Sequence, residues 1–183
     1  MNKNLILVRK IRHLTDARYF AAMGVDWMSL ELNTDPASFM LWRTLKDWVE
    51  GVKLAAEINE PDEMLIAKTV IEAGAQGIIL QSAQDFTIPA EIQLFFDLDS
   101  NIDSPVQANN YFILNFDLLS VLQHDEIIHH PNIFLQSEWS VPKIEYLLKE
   151  NYQGGICFSG GEETTTGIRD YAIMDELIDL LIT

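Results

Sequence analysis

The sequence predicts an α/β protein, a small (β/α)8 TIM barrel with shortened connections around the fourth and fifth βα units. Three observations carry this. Eight short apolar runs recur along the chain, helical patterns separate most of them, and glycine or proline stands at several of the junctions. Continuous apolar runs, without the alternation of a half-exposed sheet, are what parallel strands covered by helices require.

In order, the strands are expected at Leu5–Ile11, Trp27–Leu32, Val52–Ile58, Gly77–Leu80, Ile92–Leu98, Tyr111–Phe116, Asn132–Gln136 and Gly155–Phe158. Helical patterns fall at Asp16–Met23, Pro36–Val49, Pro61–Ala73, Leu118–Ile128, Val141–Asn151 and Tyr171–Ile182. Gly24 and Gly74 follow their helices, where a left-handed residue ends the last turn without strain. Pro36 and Pro61 lie at helix starts, where the missing N–H costs nothing, and Asp170 can cap the last helix. Gln81–Glu91 and Ser100–Asn110 are too short and polar for full helices, hence the two trimmed connections. That trimming fits a chain of 183 residues, below the roughly 200 usual for the fold. Residues 1–183 read as a single domain, since no Pro/Gly/Ser-rich linker divides them. A doubly wound open sheet is the alternative architecture.

The net charge of -16 argues against nucleic acid and anionic membrane as partners, because both would repel it. Cys157 is the only cysteine, which excludes an internal disulfide and a cysteine-based zinc site. Residues 1–12 put basic groups where a signal peptide would need small ones, and no apolar run is long enough to span a bilayer. A soluble, cytoplasmic, acidic protein is expected.

The most informative junction is Gly155-Ile156-Cys157-Phe158-Ser159-Gly160-Gly161, where a buried strand runs into a glycine pair and then a helical pattern. Unpaired backbone N–H groups at such a junction suit an anion. Ser159, Gly160 and Gly161 are therefore candidate phosphate ligands, with Lys10 or Arg12 as the assisting cation.

Lys10-Ile11-Arg12-His13-Leu14-Thr15-Asp16-Ala17-Arg18 resembles the opening Lys-Ile-Cys-Gly-Leu-Thr segment of the phosphoribosylanthranilate isomerases of tryptophan synthesis. Ser159, Gly161, Glu163, Gly167 and Asp170 fall at the spacing of that family's closing motif. Ala22 to Asp26, Asn59-Glu60-Pro61 and Glu72 to Ala75 resemble its intervening passages. The resemblance implies the barrel and, as activity, rearrangement of an aminoaldose to a ketose. In that family a carboxylic acid protonates the ring oxygen and a thiolate takes a proton from the neighbouring carbon, a paired acid and base.

The reactive positions differ here. Arg12 stands where the family has its cysteine, and a guanidinium cannot act as a base at physiological pH. Asn115 stands at the general acid's position, and an amide does not titrate. Asp117, two residues on, is either a substitute acid or a helix cap. Gln136-Ser137-Glu138 replaces a phosphate-holding glycine pair. A carboxylate about 4 Å from a phosphate charge costs on the order of 4 kcal/mol with surface-like screening. A helix N-terminus returns only about 0.3–2 kcal/mol. Asn33 to Pro36 lacks the arginine used against the anthranilate carboxylate, and Cys157 replaces an aspartate.

The implied protein is an isomerase-like barrel without the usual acid–base pair and part of the phosphate site, acting as a binding or regulatory module. The alternatives are an active isomerase with relocated groups such as Asp117, and a structural subunit of a tryptophan-pathway complex. A small phosphorylated or carboxylate ligand and a protein partner or homodimer are compatible with this reading, which calls for no cofactor and no metal.

Other constellations have plainer readings. Lys10 and Arg12, two apart, are expected to face the barrel interior with Ile6 and Val8, holding an anion or pairing with Glu57, Asp97 or Asp99. Asp97 and Asp99 on one face could hold a divalent metal, though no third ligand is evident. His129-His130-Pro131 reads as a surface turn at the N-terminal end, Cys157 as core, and Phe39, Trp42 and Trp48 as core or interface.

Overall fold

A computed structural model describes residues 4–59, 63–81, 88–99, 110–120, 127–160 and 171–182. The strands are β1 (Ile6–Arg9), β2 (Trp27–Leu32), β3 (Lys53–Ile58), β4 (Gly77–Leu80), β5 (Gln93–Asp99), β6 (Tyr111–Asn115), β7 (Ile133–Gln136) and β8 (Gly155–Ser159). All neighbours pair in parallel, and β8 returns to β1, so the eight strands close into a barrel. The helices among the described residues are α1 (Leu14–Ala22), α2 (Pro36–Trp48), α3 (Glu63–Glu72), α4 (Val141–Lys149) and α5 (Ala172–Ile182), with a 3-10 turn at Phe116–Leu118.

The junction chemistry follows the sequence. Asp35 caps α2 by accepting from the Ala37 N–H, with Pro36 just inside the helix. Gly24 and Gly74 end α1 and α3 at φ +74° and +84°. Pro61 and Asp170 lie outside the described residues, as do most of the expected Leu118–Ile128 helix and the bulk of the two trimmed connections.

Two apolar clusters form the core. The larger lies between sheet and helices and includes Ile6, Val8, Met28, Leu30, Phe20 and Trp42. The smaller fills the barrel: Leu7, Trp27, Ala55, Ile79, Phe95, Ile113, Phe134 and Cys157. The register stacks these inward side chains in layers from alternate strands. Ala55 lies opposite Ser29 on one side and Gly77 on the other, and Phe95 opposite Ile79 and Tyr111. Leu7, Ala55, Phe95 and Phe134 thus make one layer on the odd strands. Trp27, Gly77, Tyr111 and Gly155 lie beneath it on the even ones. Size matching explains the glycines: a Cβ on Gly77 would stand 2.8 Å from the Trp27 ring, and one on Gly155 would collide with Phe134.

This alternation corrects one expectation. Ile6 and Val8 face the helices, not the interior, so the inward series on β1 is Leu5, Leu7 and Arg9. Lys10 and Arg12 do not continue it. Both faces of a covered strand are apolar, so hydrophobicity could not reveal which residues point inward. Trp48 is also not core, being 60% exposed beneath the Arg18 guanidinium. His129, His130 and Pro131 are exposed and precede β7. No helix among the described residues is long and apolar enough to cross a membrane.

Candidate functional site at the C-terminal mouth

Above the apolar layers, the next inward positions on the odd strands are Arg9, Glu57, Asp97 and Gln136. Arg9 on β1 and Asp97 on β5 stand on opposite strands of the ring, so their 2.7 Å bridge crosses the barrel axis. Arg9 donates from Nε and Nη2 to Glu57 Oε2, at 3.2 and 2.6 Å. Its Nη1 donates to Gln136 Oε1 at 2.7 Å. The other carboxylate oxygen of Glu57 accepts from the Ser29 hydroxyl and, at 3.1 Å, from the Lys10 N–H.

Electrostatics keep the Arg9 guanidinium charged. Burial opposes the Arg9 charge, but the field of Glu57, and after it Asp97, outweighs burial and raises the guanidinium pKa. Glu57 is fully buried, which requires the donors just named. Asp97 is the outlet of the layer, with its side chain 18% exposed. Beneath lies Cys157, whose thiol is pushed up by burial despite the neighbouring Arg9, so it stays protonated and unreactive.

The sequence-predicted residues surround this layer in different ways. Asn115 and Ser159 end β6 and β8 and pair in register with Gln136 and Arg9, forming with Glu31 the rim one step above. Arg12 lies beyond the end of β1 with an exposed side chain, while Ile11 beside it is buried against the outer core. Lys10 adopts a left-handed backbone, φ 58°, and its ammonium meets Glu31 at 3.3 Å on the exposed rim.

Asn115 caps the short 3-10 turn, its Oδ1 accepting from the Asp117 N–H at 3.0 Å. The cap of this turn is therefore Asn115, and the helix that Asp117 is expected to cap lies mostly outside the described residues. Asp117 accepts from Lys143 Nζ at 2.6 Å and from the Ser137 hydroxyl at 2.7 Å. Lys143 also donates to Ser137 and to the Glu138 carbonyl. The Lys143 and Ser137 hydrogen bonds hold the Asp117 carboxyl below the usual carboxylate range. Such a group is ionised at neutral pH and has no proton to give.

The expected phosphate junction is partly spent on the fold. Gly160 donates its N–H to the Arg9 carbonyl at 2.6 Å, extending the β8–β1 ladder by one bond. A Cβ there would lie 2.8 Å from that carbonyl oxygen, so close packing accounts for the glycine. Gly161 lies outside the described residues. Glu138 is exposed, and Trp139 next to it donates its indole N–H to the Cys157 carbonyl at 2.8 Å. The β5–β6 ladder shifts register between Asp97 and Asp99.

Arg9 is the residue that reading the sequence missed. The available signal was its partners: Glu57, Asp97 and Gln136 are polar residues at or near the C-terminal ends of three odd strands. Such an arrangement demands a buried cation among them.

No protein-family model matches the chain, and no curated protein sequence matches it. Solved structures do resemble it. Phosphoribosyl anthranilate isomerase from Thermococcus kodakaraensis superposes with a TM-score of 0.70 at 12% identity, covering 98% of this chain and 99% of that one. The Pyrococcus furiosus N-(5'-phosphoribosyl)anthranilate isomerase gives 0.65 at 14%, covering 97% and 98%. Thiamine phosphate pyrophosphorylase from Bacteroides thetaiotaomicron gives 0.63 at 12%, covering 97% and 95%. Identities this low establish a shared barrel, and proteins of different chemistry share it, so the residues of the mouth must carry any functional argument.

Proposed function

We propose that this chain is a phosphoribosylanthranilate isomerase-like barrel that no longer performs the acid–base isomerisation and serves as a binding or regulatory module. The observation that supports this best is the layer of Arg9, Glu57, Asp97 and Gln136. A guanidinium already engaged through all three nitrogens by its own protein lies across the axis at the mouth. A substrate anion would have to displace Asp97 or Gln136 to reach it. Among the described residues, the family's acid and base positions offer only Asn115 and Arg12, while Asp117 is held ionised.

The test is an assay with phosphoribosylanthranilate, paired with growth rescue of a strain lacking the isomerase. Turnover well above the uncatalysed rate would overturn the proposal. Loss of that turnover in Asp117→Asn would then favour a relocated acid. A second arm uses Arg12→Cys with Asn115→Asp, which returns a titratable base and acid. Such groups typically contribute about 10²–10⁴-fold each when the substrate is held in reach. Little activity is expected from the pair alone, because position 12 is exposed and Lys143 and Asp117 tie down Ser137 in the loop after β7. Adding Ser137→Gly and Glu138→Gly is expected to matter as much as the catalytic pair.

A further inference from the structure

We propose a second binding site at the opposite, N-terminal end of the barrel, fitted to a small uncharged ligand with an amide-like hydrogen-bonding edge, such as a nucleobase carried on its nucleoside. A cavity of about 440 Å³ opens there, between the segment leading into β5, the start of β6 and the residue preceding β7. That volume lies in the range of small-molecule sites, roughly 300–1,000 Å³. The described ends of the two shortened connections, residues 88–91 and Asn110, line it, on the side of the barrel where strands follow one another with the least intervening chain. The proposal does not rest on any reading of the C-terminal mouth.

The lining chemistry selects the ligand. Three carboxamide residues, Gln93, Asn110 and Asn132, and the phenol-bearing Tyr111 line the cavity, with Gln93 Nε2 donating to the Leu94 carbonyl at 3.1 Å. Each carboxamide carries two donor hydrogens and an acceptor oxygen with two lone pairs, so one engaged within the protein keeps capacity for a ligand. Mixed donor and acceptor edges of this kind complement the edge of a base. Pro89 and Ile92 add an apolar wall for a ring face.

Charge excludes the other classes. None of the lining residues is cationic, and Glu91 contributes a carboxylate. Burial first, and Asp26 after it, raise the Tyr111 phenol, which keeps it neutral and able to donate. With the chain at -16 overall, a phosphate or carboxylate ligand would enter against repulsion with no counter-charge to meet it.

The experiment titrates adenosine, guanosine, cytidine and uridine, and in parallel their 5'-monophosphates, into the isotope-labelled full chain by two-dimensional NMR. At least one nucleoside is expected to give saturable shifts at Gln93, Tyr111 and Asn132 with a Kd no weaker than about 1 mM. Its monophosphate should bind several-fold less well. Asn110→Ala should weaken binding by about 3–10-fold, the effect of one hydrogen bond. Glu91→Lys, at an exposed position that leaves the core untouched, should narrow the gap between nucleoside and monophosphate. No saturable shift with any nucleoside, shifts confined to Glu31, Asn115 and Ser159, or monophosphates bound as tightly as nucleosides in the unaltered chain would each overturn the proposal.

Discussion

Arg9 shows how one residue can organise a barrel mouth. Its guanidinium has partners on three other strands, and its partner Glu57 is fully buried. Breaking a buried pair by removing one partner typically costs about 3–5 kcal/mol, because the remaining charge stays in low dielectric. Arg9→Met is therefore expected to destabilise the protein by about that amount in urea unfolding. Glu57→Gln should cost less, since Asp97 remains to offset the cation. Combining Arg9→Met with Glu57→Leu should recover part of the loss, because an apolar pair removes the stranded charge. A double variant less stable than Arg9→Met by the full cost of a second independent lesion would show that the two side chains are not coupled. The parity that places Arg9 inside was not legible, since Ile6 and Val8 are as apolar as Leu5 and Leu7.

At the scale of elements, the helix and strand boundaries rest on local chemistry that the sequence displays. The expected Trp27–Leu32 and Gly77–Leu80 strands coincide with β2 and β4. The α2 boundary follows from Asp35 and Pro36, whose side-chain oxygen and missing N–H both act within one turn. The end of α4 shows the same logic with a less suitable residue. Asn151 follows the capping Glu150 with φ 56°, a left-handed conformation that asparagine tolerates and glycine adopts without strain. Asn151→Gly should therefore be neutral or stabilising by up to about 1 kcal/mol, whereas Asn151→Val should destabilise by more than that. Thermal unfolding of the two variants checks this, and a stabilising valine would show that the left-handed turn is not the constraint. Lys10 has a similar φ but differs in kind, because its N–H is bound by Glu57, a residue far away in sequence.

At the scale of the whole molecule, buried protons make stability depend on pH asymmetrically. Burial raises the phenols of Tyr152, Tyr19 and Tyr111 and the thiol of Cys157. The unfolded chain releases these protons near the ordinary values, about 8.5 for cysteine and 10 for tyrosine, while the folded chain retains them. The unfolded state then binds fewer protons, so stability is intact below about pH 8 and falls as pH rises through those values. On the acid side Asp117 acts in the opposite sense: its contribution is present above its unfolded value and is lost as pH falls through the lowered folded one. Tyr152→Phe should cost about 1 kcal/mol at pH 7 through the lost hydrogen bond to the Ile133 carbonyl. It should also flatten the alkaline decline by about 1.4 kcal/mol per pH unit above pH 10. An unchanged alkaline slope in urea titrations between pH 8 and 11 would remove Tyr152 from this account. The sequence by itself determined the order of strands and helices, because apolar runs, caps and turn residues act over a few neighbouring positions. Its resemblance to the isomerases implies Arg12 and Asn115 at the positions of their base and acid, where neither side chain titrates as those groups do. Only the tertiary structure decided which face of β1 looks inward, that Arg9 is the central cation, and that Asp117 belongs to Lys143. Those outcomes depend on register around a closed ring, which brings residues from strands that are not neighbours within 3 Å and leaves no trace in the spacing along the chain.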